Sequence, residues 1–207
     1  MKRDKNGCFI FRDFPDFKPN LSPRQIFQQG SFGGTYWRPI YSHVTKKHYK
    51  NQHQKYASWW SGIKREWLIT PWEEYNKAIN KYGVKVGSTL EEWEQKHWIQ
   101  PSHPYGWIQW YCDFFKGKRC ADDERQVKRW IATAGPNSRF RLALIHQIKR
   151  KRAAYDDHHV SPRIRQTLQH WAYELKQRDL LQNAMTKNKN IHKKNKTLKQ
   201  KFNTMAS

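Results

Sequence analysis

YGWIQWYCDFF, residues 105–115, is the most apolar run in the chain. Its Trp107, Ile108, Trp110, Tyr111, Phe114 and Phe115 cover much of a helix's circumference, so the segment reads as a central helix enclosed on nearly every side. Pro101 and Pro104 break the chain just before it. A helix of this kind needs other elements packed around it, and the flanking sequence supplies them.

Downstream, Ala121–Ala134 places Val127, Trp130, Ile131 and Ala134 at i, i+3, i+4 and i+7, with Asp122, Asp123 and Glu124 in the first turn and Gly135-Pro136 as terminator. A further helix spans Asn137 to Arg152, with Phe140, Leu144 and Ile148 inside and Lys149-Arg150-Lys151-Arg152 at its end. Ser161-Pro162 is a cap followed by proline at the first helical position, and Ile164, Leu168, Trp171 and Leu175 line a last helix to about Leu181.

Upstream, Ser88 or Thr89 caps a short helix whose Leu90, Trp93 and Trp98 mark its buried side. From Pro71 to Gly83, Trp72, Tyr75, Ile79 and Tyr82 fall on one helical face. Ser22-Pro23 opens a helix through Ile26 and Phe27 that stops at Gly30. Residues 1–21 alternate Phe9, Phe11, Phe14 and Phe17 with turn formers, which suits an extended strap over a core. The stretch His43–Trp67 has room for a hairpin, and its adjacent Trp59 and Trp60 cannot both face inward on regular structure.

The expected fold is mainly α: a single compact helical domain over residues 1–181, with an irregular aromatic-rich N-terminal third, followed by a disordered basic tail over 182–207. Mean hydropathy is −1.09, which alone would suggest disorder, but 11 Trp, 10 Tyr and 10 Phe oppose it. Each buried aromatic removes about 150–250 Å² from water, so a core can be built from few of them. No apolar run approaches the roughly 20 residues that cross a bilayer, and the start lacks a signal-peptide segment. Cys8, Cys112 and Cys120 are an odd, sparse set. The expectation is an intracellular protein of nucleus, cytoplasm or virus particle, not secreted and not bound to a membrane.

Charge points to the partner. There are 40 Lys+Arg against 17 Asp+Glu, a net +23, and from Leu180 to Ser207 there are seven lysines and no acid. Self-repulsion on this scale is relieved by a polyanion, so nucleic acid is the expected partner. DNA stands slightly ahead of RNA because helices offer groove-sized faces. Candidate contacts are Lys193, Lys194 and Lys196 in the tail, the Lys149-Arg150-Lys151-Arg152 end, and Arg163, Arg165 and Gln169 on the last helix. In the loop GSFGGTYWRP, Tyr36, Trp37 and Arg38 could stack on a base or clamp a phosphate, and packing of that loop is an equal explanation.

An alternative is an enzyme acting on nucleic acid, a nuclease or base-processing activity, with a pocket near the 30–39 loop and the 102–107 turn. Its candidates are Asp122, Asp123, Glu124 and His103, although complementing a helix dipole accounts for the three acids. A third reading is a protein-assembly factor that binds a partner through exposed aromatics. No cofactor and no metal are expected, because His43, His48 and His53 are five apart and Cys112 with Cys120 lacks zinc-site spacing.

Overall fold

The computed structural model describes residues 1–185, and the tail lysines Lys193, Lys194 and Lys196 lie outside them. The fold is mainly helical. Its helices are α1 (Pro23–Gln28), α2 (Glu66–Ile69), α3 (Leu90–Gln95), α4 (Trp107–Phe115), α5 (Asp123–Ala134), α6 (Arg139–Lys151), α7 (Pro162–His170) and α8 (177–185). One antiparallel hairpin pairs β1 (Ile40–Ser42) with β2 (Lys47–Tyr49) in the register Ile40 to Tyr49. It straddles the start of the expected stretch.

α4 is the enclosed centre. Trp110, Tyr111, Cys112 and Phe114 retain at most 1% of their surface. The N-terminal strap lies across it: the Phe11 ring is 5.0 Å from Phe114, and the Phe17 ring is 5.7 Å from Trp110 and 5.2 Å from Trp130 of α5. Polar ends of these rings are satisfied. The Trp110 indole N–H donates to Asp123 (2.8 Å), the Tyr111 hydroxyl to the Leu21 carbonyl (2.8 Å) and the Trp130 indole to the Trp171 carbonyl (2.7 Å).

Three helix starts follow their sequence signals, whereas Ser161 before α7 takes a left-handed backbone (φ 53°) and makes no side-chain cap. Ser22 and Gln25 form a reciprocal capping box at α1, Thr89 caps α3, and Ser138 caps α6. A buried ion pair, Arg141 to Asp179 (2.8 Å), joins α6 to the start of α8, and the Tyr173 hydroxyl bonds the same carboxylate at 2.9 Å. Removing one partner of such a pair typically costs about 3–5 kcal/mol.

Four expectations are corrected. Residues 71–83 are not a helix but two short 3-10 turns, Trp72–Glu74 and Lys77–Ile79. Their backbone is committed elsewhere: the N–H groups of Thr70, Asn76 and Lys81 donate to the carbonyls of Gly34, Gly33 and Gln29 at 2.9–3.0 Å. This seam explains the glycines, since a Cβ on Gly30 would sit 1.8 Å from the Ile79 carbonyl oxygen and one on Gly34 2.5 Å from that of Glu66. Second, α7 ends at His170, because left-handed Ala172 (φ 55°) turns the chain so that its carbonyl accepts from Asn20 and Leu21. Third, Ile131 and Trp98 are exposed, not core. Fourth, helical structure continues to 185, past the expected boundary at 181. Trp60 is buried while Trp59 is half-exposed, as their adjacency requires. Among the described residues, no helix is long and apolar enough to cross a membrane.

Candidate functional site

The glycine seam fixes the loop before it in an unusual shape. Phe32 adopts a left-handed backbone (φ 68°, ψ 10°), a conformation that costs a non-glycine residue about 1–3 kcal/mol and is retained only where the surroundings enforce it. Its ring stacks on His170 at the end of α7, with centroids 4.1 Å apart and planes 21° from parallel. This pair forms one wall of a cleft.

Two adjoining hollows share Phe32, Tyr36, Trp93, His170 and the 86–88 segment. The first, about 520 Å³ counting space open to solvent, reaches Arg38, Trp72, Tyr75 and Tyr105. The second, about 740 Å³ on the same measure, reaches Trp98, Trp107, Arg129, Thr167 and Trp171. Among the described residues, no carboxylate lines either hollow.

Cations sit over the rings at both ends. Lys85 lies 4.0 Å from the centre of the Trp72 ring, and Arg38 lies 5.1 Å from it. Arg129 lies 5.3 Å from Trp171 and 5.6 Å from Trp98. The two ends differ electrostatically. Burial lowers the Arg38 pKa, while Glu91 and Glu73 partly offset that effect. Burial, aided by Arg125, pushes Arg129 down to about 10, which leaves it charged at neutral pH. Arg129 donates to Gln126 Oε1 (3.0 Å) and, more weakly, to the Trp98 carbonyl (3.4 Å). Burial also pushes His170 down to about 3, so it is a neutral imidazole at neutral pH, with its Nε2 2.7 Å from the Gln166 amide nitrogen.

The sequence candidates divide sharply. Arg38 reaches the cleft. Tyr36 contributes to its wall but is buried, with its hydroxyl donating to the Tyr105 carbonyl (2.5 Å) and accepting from the Gln109 N–H (2.9 Å). Trp37 is a core ring between Phe27 and Tyr56 and has no face for a base. On α7 the supposed readout face points inward. Gln169 is fully buried and bonds Gln29, and buried Arg165 donates to the carbonyls of Val160 (2.9 Å) and Tyr155 (2.8 Å), bracing the connection from α6. The reason is periodicity: residues 165, 166, 168 and 169 lie on the stripe that packs against the rest of the fold.

The acidic candidates are not gathered. Asp122 accepts from Arg125 and Gln126, Asp123 from Trp110 and the Cys120 N–H, and exposed Glu124 pairs with Lys128 at 3.7 Å. His103 is buried outside the cleft, between Ser102 Oγ (2.9 Å) and Asp113 (3.6 Å). Among the described residues, no group of three His, Cys, Asp or Glu side chains is placed to hold a metal ion.

Lys149, Arg150, Lys151, Arg152 and Arg163 are all exposed. Lys149 bonds Asn183 (3.0 Å) and Arg150 bonds Gln147 (2.8 Å). Among the described residues, no carboxylate pairs with any of the five. Sequence reasoning missed Phe32, Trp72, Lys85, Arg129 and Trp171 as site residues, because the cleft is assembled from segments far apart in the chain. No protein-family model matches the chain, and comparisons with curated proteins and with solved structures find no match.

Proposed function

We propose that the protein binds nucleic acid, holding the phosphate backbone at the cationic end of α6. The observation that carries this reading is the exposed Lys149–Arg152 run, which together with Arg163 stands free of carboxylates among the described residues. Helix-dipole complementarity would be met by one or two cations; four exceed it. The net charge of +23 supplies the long-range attraction. With the inner face of α7 committed to packing, groove readout by that helix has no support. Charge and stacking remain, and they favour an unpaired strand over a duplex.

The test is fluorescence anisotropy of the full chain on single- and double-stranded DNA and RNA between 50 and 200 mM salt, a range over which six to ten phosphate contacts cost about 10³- to 10⁵-fold in affinity. Lys149→Glu combined with Arg152→Glu is expected to weaken binding about tenfold or more and to flatten the salt slope. Lys77→Glu, at an exposed lysine of the 71–83 arm, is expected to do far less. Equal effects from the two variants would dissolve the patch, and weak, salt-insensitive binding to all four ligands would dissolve the reading itself.

A further inference from the structure

Arg129 is a half-buried guanidinium that, among the described residues, has no carboxylate within ion-pair distance, and it lies over two partly exposed indoles. Nearby Asp122 is engaged by Arg125 and Gln126. Water is largely withheld from such a charge, and the uncharged Gln126 side chain and a backbone carbonyl compensate it only in part. The hollow beside it is walled by flat rings: Trp98, Trp171, Trp93 and the Phe32–His170 stack. Trp107, in the same wall, also keeps a buried indole N–H without a hydrogen-bond partner among the described residues. The complement of this arrangement is a flat, apolar ring carrying an anion.

We infer that the hollow between α3, α5 and α7 is a nucleotide site, which takes one unpaired base of a bound strand among Trp93, Trp98 and Trp171 and its phosphate on Arg129. Neutral His170 adds no competing charge and presents its stacked ring as wall. The Arg38 end, with Glu73 and Glu91 close to its cation, suits the sugar or a neighbouring base better than a phosphate. The inference deepens the nucleic-acid reading and rests on it. The two are separable, because the cleft captures a base whereas the α6 end holds the polymer's phosphates.

The probe is adenosine 5′-monophosphate, titrated calorimetrically into the full chain, with adenosine and inorganic phosphate as controls. One site is expected, with the nucleotide binding at least tenfold more tightly than either control. Trp98→Ala and Arg129→Gln should each weaken it about fivefold or more; Trp98 is 39% exposed, so its loss leaves the core intact. Lys149→Glu with Arg152→Glu should leave it unchanged. A single-stranded 12-mer containing 2-aminopurine should compete with the nucleotide and show base quenching that Trp98→Ala reduces.

Nucleotide affinity equal to that of phosphate, or indifferent to both cleft variants, would overturn the site. Nucleotide binding that the 12-mer leaves untouched would overturn the strand as the source of the base. Steep, salt-dependent 12-mer binding without nucleotide binding would remove the cleft and keep the phosphate reading. Loss of 12-mer binding alone would do the reverse.

Discussion

The aromatic rings around α4 and those around the cleft are the same residue types used in opposite ways. At α4 rings meet rings, mostly tilted or edge-on at 4.8–6.4 Å, and the polar edges of Trp110, Tyr111 and Trp130 find protein partners. In the cleft Trp72, Trp98 and Trp171 keep part of their faces exposed and meet cations. A ring whose polar edge is satisfied and whose faces are covered contributes to stability, whereas one left open beside a guanidinium contributes little to the fold and is available to a ligand. The difference lies in neighbours, not in composition.

Three measurements would break or sharpen this division. Trp110→Ala should have the largest effect, costing about 3–5 kcal/mol from cavity formation, with an added penalty for removing one hydrogen bond from the buried Asp123 carboxylate. Urea denaturation reads it directly, and an unchanged midpoint would mean the α4 rings are not the core.

His170→Gln should change how stability varies with pH. The folded protein holds His170 at about 3, well below its ordinary 6.5, so the unfolded chain takes up a proton that the folded one refuses as pH falls through that window. Stability therefore drops between about pH 6.5 and 3, and the variant, which has no proton to take, should show a shallower fall between pH 6.5 and 4.5. Asp113, held down at about 2 by hydrogen bonds from His103, Lys118 and Tyr56, titrates below that range. His53 and His158, also lowered by burial, stay in the variant, as do Glu91 and Glu174, whose lowered carboxyls begin to contribute near pH 4.5, and together these groups set the slope that remains. A slope identical to the parent's would place His170 in water.

The smallest expected effect on the fold is that of Trp98→Ala, within about 1 kcal/mol by the same urea assay, since a half-exposed side chain leaves little cavity behind. A loss approaching that of Trp110→Ala would erase the distinction between the two regions.

Much of the core was legible. α4, α5 and α6 announce themselves because their apolar stripes follow helical spacing and their caps are local: Ser138 for α6, Gly135-Pro136 after α5. The 71–83 arm was not, because its helical periodicity is genuine but the N–H groups of Asn76 and Lys81 are taken by the 29–34 loop, a tertiary demand with no local mark. The hollows border the 30–39 loop and the 102–107 turn, but of the residues expected to gather there for an enzyme only Arg38 does so, while His103 and the acidic candidates lie elsewhere. Trp37 and Trp72 could not be told apart, since each lies in an aromatic- and cation-bearing stretch and only the fold decides which is enclosed. Arg129 sits one position before a core tryptophan and carries no sign of its neighbours Trp98 and Trp171.

The glycine seam has a kinetic consequence. The 70–81 arm contains little regular structure, and three of its amide hydrogens, on Thr70, Asn76 and Lys81, are shielded only by carbonyls of the loop that carries Phe32. Those three amides should then show one common protection free energy against exchange with solvent deuterium, set by a single separation of arm from loop. The same opening would free the Phe32 wall, so anything that occupies the cleft against that wall would slow all three together.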